Sequence, residues 1–199
     1  SATIGSFTPI SGAGHQMSST LTIGTVSTST SAFDPGAAKT KNVGDTGLKF
    51  SGVRFTAGSG EDLSFRSIRF RQVGSVSSSD LANISIVVDG VSYPATIDAT
   101  GKYYTAVFPG GITILKGNSV DTYITGDVTG SNAANRTVDF DIDKVTDVYF
   151  VGKTYNYGIA PSGTFTPWFN GRVFTINPGS ATTISKATEV AAQNIAVNI

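Results

Sequence analysis

Asp139, Asp141 and Asp143 occupy alternate positions in VDFDID. In an extended chain every second side chain points the same way, so the three carboxylates share one face. Ca²⁺ takes several carboxylate oxygens, which makes this trio the candidate for a structural calcium. Successive same-face residues lie about 6.5 to 7 Å apart, so a single ion would need help from a loop such as Gly126-Asp127. The alternative is a solvated polar face. Glu61-Asp62 is a second acidic pair, but neighbours on a strand point to opposite faces and cannot act as acid and base without a turn between them. Their plainer role is polarity at a strand end. Arg66, Arg69 and Arg71, with Lys49 and Arg54, form a basic strip; a formal net charge of +0 points to a sheet face paired with Asp residues rather than to an acidic partner.

Nucleophilic chemistry is poorly supplied. The chain has no Cys and one histidine, His15, which has no partner close in sequence. A Ser or Thr nucleophile needs a base, and no nucleophile elbow, phosphate loop or metal-ligand spacing is present. An enzyme is not expected, a secreted hydrolase being the remote alternative, and no cofactor is expected beyond the calcium candidate. The segment KTYNYGIAPSGTFTPWFNG carries Tyr155, Tyr157, Phe165, Trp168 and Phe169. These rings could stack on sugars, but so many exposed aromatics are an aggregation hazard. Burial against the protein's own core, or against a second copy, is the stronger expectation.

The elements that must position these residues read as β throughout. At 199 residues the chain can bury a core of its own. Only 14% of residues are charged, against about 25% in an ordinary soluble domain, so hydroxyls and backbone solvate the surface. Neutrality argues against nucleic acid, and no apolar run reaches the ~20 residues of a membrane span. The composition, with Asn-X-Ser/Thr at Asn83 and Asn135 as glycosylation candidates, leans toward an extracellular or cell-surface protein.

From Leu48 onward, Val53 and Phe55 alternate with polar residues, Gly58-Ser59-Gly60 interrupts, and Leu63 and Phe65 resume, which reads as a hairpin. Ile68 and Phe70 then carry the apolar side on even numbers, a phase change that a bulge near Arg66-Ser67 would produce. Ile84 to Val88 ends at Asp89-Gly90, a pair suited to a tight hairpin turn. Val91 to Ile97 and Lys102 to Phe108 flank Asp98 to Gly101 as another hairpin. Further strands are expected at Leu21 to Val26, Ile112 to Leu115, Val120 to Thr125, Val138 to Ile142, Val145 to Val151, Val173 to Ile176 and Ala181 to Ser185. The stretch SAFDPGAAKTKNVGDTG reads as a long loop. Turn signals every 8 to 12 residues are the spacing of an all-β sandwich or barrel.

The segments AGSGEDLSFRSIRFRQVGSVSSSDLANISIVVDG, ITILKGNSVDTYITGDVTG and FTINPGSATTISKATEVAAQNIAV resemble the immunoglobulin-like repeats of very large bacterial surface proteins, including S-layer-like proteins of minimal-genome bacteria. The resemblance covers about Gly44 to Val128 and the last 25 or so residues, and its motifs are structural turns. It implies an antiparallel immunoglobulin-like β-sandwich, a jelly-roll type being the alternative, and a surface location. The expected organisation is an extended arm over residues 1–20, a sandwich over 21–186 with the aromatic insertion at 153–171, and a final strand over 187–199. Phe7 to Gly12 is loosely echoed by Phe174 to Gly179, a pattern of modules joined head to tail. Ile4, Phe7 and Ile10 in the arm, and Ile195, Val197 and Ile199 at the end, are suited to insertion into the open sheet edge of an adjacent copy. The expected function is thus a structural subunit of an extracellular filament, pilus or surface layer whose main partner is itself. A module binding glycan or cell wall is the alternative.

Overall fold

The computed structural model describes residues 22–162 and 168–179. Its strands are β1 (Val26–Thr30), β2 (Lys39–Asn42), β3 (Leu48–Ala57), β4 (Leu63–Gly74), β5 (Leu81–Val88), β6 (Val91–Pro94), β7 (Thr96–Ile97), β8 (Tyr103–Ile114), β9 (Ser119–Val128), β10 (Arg136–Asp141), β11 (Val148–Gly152), β12 (Gly158–Ile159) and β13 (Phe174–Asn177). Among the described residues the only helices are short 3-10 turns. The chain is an all-β sandwich of two sheets. One sheet runs β1-β3-β9-β5-β6. The other is centred on β4, with β8 and then β7 on one side. On its other side β10 and β11 lie end to end, opposite residues 71–74 and 63–68 of β4. Strand β12 extends this sheet from β11, and β13 and β2 extend it from β10. Pairing is antiparallel except between β13 and β2.

Bulges decide which side chains reach the core. In β4 the register shifts at Arg66, so Phe65 and Ile68 both face inward; this is the phase change read from the sequence. Strand β3 shifts between Lys49 and Ser51, turning both Phe50 and Val53 inward. Strand β5 shifts between Ala82 and Ser85, where Asn83 takes φ 53°. The resulting core is strongly aromatic. Phe65 stacks on Phe150 with centroids 4.5 Å apart and touches Phe55 and Phe108. Further along the sandwich, Phe50 meets Phe140 and Phe174, and Tyr104 packs on Phe140. Burying each such ring contributes about 1.5–3 kcal/mol.

Several expected connections differ. Gly58-Ser59-Gly60 is not a hairpin turn, because β3 and β4 lie in different sheets and the chain crosses between them there. Lys116-Gly117-Asn118 makes a similar crossing from β8 to β9. Local alternation looks the same whether the next strand pairs alongside or faces it across the core. The Asp89-Gly90 turn does close a hairpin, with φ of 48° and 81° joining β5 to β6. The expected strand 91–97 is split, since β6 pairs with β5 while β7 pairs with β8 in the opposite sheet. The long loop contains β2, held in parallel to β13. Strand β1 begins only at Val26, and Val145–Asp147 is a 3-10 turn preceding β11. The arm (1–20) lies outside the described residues, as do the Ala181 to Ser185 strand and the final segment 187–199.

Candidate functional site

Glu61 is 3% exposed, and its carboxylate ties two distant stretches of chain to its own. Its Oε1 accepts the Gly24 N–H at 3.0 Å, and its Oε2 accepts those of Thr154 at 2.8 Å and Tyr155 at 3.3 Å. Gly152 backs directly onto this carboxylate, and a Cβ there would collide with it. Burial pushes the Glu61 pKa up, but the bonds from Gly24, Thr154 and Tyr155 outweigh burial and hold it below the usual value. Asp62 accepts the Lys116 N–H at 2.9 Å. The pair is therefore a tie at one end of the sandwich, with no acid–base geometry between its members.

The three alternating aspartates each engage a different partner. Asp139 accepts the Phe140 N–H at 2.7 Å, Asp141 accepts the Gly171 N–H at 2.8 Å, and Asp143 takes Arg71 Nη1 at 3.2 Å. No group of three His, Cys, Asp or Glu side chains among the described residues is placed to hold a metal ion. The trio is not a solvated face either. Asp139 and Asp141 are 6% and 7% exposed because residues 168–172 cover β10, bonded through the Ile142–Phe169 bridge. Gly171 fits there because a side chain would strike Asp139 and the Phe140 carbonyl. Burial and the neighbouring Asp141 push Asp139 up to about 6, against the opposing pull of the Phe140 N–H and Arg172. Asp141 is likewise raised, chiefly by burial. The sequence did not single out Asp34, which completes this seam: its Oδ2 accepts the Gly52 N–H at 3.1 Å, and its Oδ1 lies 3.7 Å from Arg172 Nε. The only local signal for it is the turn-forming Asp-Pro-Gly.

The aromatic segment divides. Trp168 is buried, its Nε1 donating to the Ser162 carbonyl at 3.2 Å, and Phe169 packs partly buried against the core. Both cover the protein's own interior. Tyr155 and Tyr157 are exposed, and Phe165 lies outside the described residues. Three of the arginines are paired with Asp as expected: Arg54 with Asp121, Arg69 with Asp147 and Arg71 with Asp143. Arg69 also lies over the Tyr103 ring, 4.7 Å from its centroid. Lys49 and Arg54 do not belong to the same strip as Arg66, Arg69 and Arg71, since β3 is in the other sheet. Asn83 and Asn135 are exposed at positive φ. Asn83 Nδ2 already donates to Asp127 Oδ2, and this bond, ahead of the Gly47 N–H, lowers the Asp127 pKa. His15, Ile4, Phe7, Ile10, Ile195, Val197 and Ile199 lie outside the described residues.

Two features of the frame bear on assembly. Gly24, the first residue tied by Glu61, sits where Val26 pairs with Ala57 at the end of β3. Asn177, the last residue of β13, accepts the Val43 N–H beside Val128 and Leu48 at the other end of β3. Gly24 and Asn177 thus lie near opposite ends of β3, about 30 Å apart. The sheet edges also differ. Strand β2 carries Lys39 and Lys41, and β6 ends in Pro94, both features that discourage further pairing. Strand β1, VSTST, has neither charge nor proline; among the described residues its ladder is with β3, and on its outer edge the Val26 carbonyl accepts the Ser162 N–H at 3.4 Å.

No family model and no curated protein matches the chain. Among solved structures it is similar to a family 123 glycoside hydrolase from Clostridium perfringens, studied for glycolipid glycan hydrolysis, at 12% identity and TM-score 0.40 over 76% of this chain and 27% of that one. It is also similar to the full-length major pilin RrgB from Streptococcus pneumoniae, at 12% identity and TM-score 0.28 over 63% of this chain and 25% of that one. A second structure of that pilus backbone matches at the same identity and TM-score, over 33% of its length. The chain spans about a third or less of each. The antiparallel sandwich implied by the resemblance to immunoglobulin-like repeats is the fold present, and these distant neighbours carry the assignment no further. Among the described residues no helix is long and apolar enough to cross a membrane.

Proposed function

We propose that this domain is a non-catalytic structural module of an extracellular or cell-surface assembly, a filament or surface layer in which copies join end to end by β-strand addition. The observation that carries the reading is the edge of β1, which from Ser27 to Thr30 carries neither charge nor proline and meets no second strand among the described residues. End-to-end stacking brings another copy against the end of the sandwich where β1 starts. A strand added there gains ladder hydrogen bonds and apolar contacts together. The terminal segments supply apolar candidates, Ile4, Phe7 and Ile10 at one end and, in strict alternation, Ile195, Val197 and Ile199 at the other. The hydroxyl-rich surface, with 14% charged residues, suits an extracellular location.

Sedimentation of three proteins tests this: the full chain, a variant lacking residues 1–18 and one lacking 187–199. The expected result is large assemblies from the full chain and folded monomers from at least one truncation. Normal polymers from both would refute donation by the chain ends.

A further inference from the structure

All four ion pairs among the described residues use arginine. Three lysines instead converge on one groove of about 490 Å³ between the β2 edge and the start of β3. Lys39 and Lys41 alternate along β2 and so face the same side, about 7 Å apart. Lys49 reaches in from β3, its Nζ 4.4 Å from the Phe33 ring centroid and 5.0 Å from that of Tyr123, an arrangement that holds the ammonium in place. Phe33, Leu48 and Phe174 give the groove an apolar lining, and Phe33 is 40% exposed.

The nearby carboxylates are engaged elsewhere. Asp34 serves Arg172 and the Gly36 and Gly52 N–H groups. Asp45 accepts from the Asn42 N–H, and Asp127 from Gly47 and Asn83. Three lysines, one of them over the Phe33 ring, therefore line a groove within the size range of ligand sites.

We propose that this groove binds a carboxylate-bearing polysaccharide, with the lysines meeting successive carboxylates and a sugar face lying on Phe33. Cations spaced along a strand match a polymer carrying one charge per sugar. The chain's formal net charge of +0 gives no broad basic surface for a denser polyanion such as nucleic acid. The proposal stands apart from self-assembly and adds a means of anchoring to a glycan layer.

Affinity electrophoresis of the folded protein in gels containing polygalacturonate, neutral dextran or inorganic polyphosphate tests it. Polygalacturonate is expected to retard the wild type, and dextran to leave it unaffected. The triple variant Lys39→Gln, Lys41→Gln, Lys49→Gln should bind at least about tenfold more weakly, since each lost cation weakens attraction to the polymer. A control triple at exposed lysines elsewhere, Lys102→Gln, Lys116→Gln, Lys144→Gln, removes equal charge and should stay within about twofold of wild type. Phe33→Ala provides a variant with no change in charge and is expected to weaken binding about threefold. An unretarded wild type would overturn the proposal. So would equal weakening by both triples, or retardation by polyphosphate as strong as by polygalacturonate.

Discussion

Replacing Glu61 by Gln tests whether the N-terminal pole is held by a single carboxylate. The two shapes are nearly identical, but one carboxylate oxygen becomes an NH₂ group facing backbone donors. Depending on how the amide turns, the variant loses either the bond from Gly24 or those from Thr154 and Tyr155. Hydrogen bonds to a charged group contribute about 1.5–3 kcal/mol each, and a donor stranded at a buried site adds to the loss. The expected destabilisation is about 2–4 kcal/mol at pH 7. The readout is urea unfolding followed by fluorescence of Trp168, the single tryptophan and a buried one. The pH dependence has a definite sign. The folded pKa of Glu61 is depressed, so its contribution is present above the unfolded value and is lost as pH falls through the folded one. The difference between wild type and Glu61→Gln should therefore shrink on acidification below about pH 4. Gly152→Ala approaches the same tie from behind and should destabilise as well, because its methyl group collides with the carboxylate. A Glu61→Gln variant within about 0.5 kcal/mol of wild type at pH 7 would refute the reasoning, since that is the range of ordinary surface substitutions.

Asp139 should behave in the opposite sense: its folded pKa is raised to about 6, so ionisation opposes folding above that pH and is relieved below it. Wild-type stability should rise between pH 7 and pH 5, while Asp139→Asn should flatten that rise and gain about 1–3 kcal/mol at pH 7, measured by urea unfolding. Phe65→Ala removes the ring that meets Phe55, Phe108 and Phe150 and should lose about 3–5 kcal/mol by the same assay; a smaller loss than about 2 kcal/mol would show that this cluster is not the centre of the core.

The strands were legible because alternation reports directly on which side of a strand is buried, and the odd-to-even switch between Phe65 and Ile68 even located the bulge at Arg66. The same signal was present in Leu48, Phe50, Val53 and Phe55, where the apolar residues also change phase around a bulge. Sheet membership was not legible: Gly58-Ser59-Gly60 joins two sheets, while Asp89-Gly90 joins two strands of one, and local residue types barely distinguish the two. Strand β2 was hidden because Lys-Thr-Lys-Asn offers no apolar side; its partner β13 lies more than 130 residues away, and neither segment implies the other. The same hidden strand brings Lys39 and Lys41 to Lys49. Asp139 and Asp141 read as polar face residues because nothing nearby in sequence announces that residues 168–172 fold over them.

Negative-stain electron microscopy of the purified full chain is the most direct measurement of the central claim, that copies of this sandwich join pole to pole. Ordered fibres or sheets with an axial repeat of a few nanometres, comparable to the length of β3 plus its connecting turns, are the predicted result. Dispersed single particles at every protein concentration, in a preparation whose Trp168 emission shows the native fold, would contradict it.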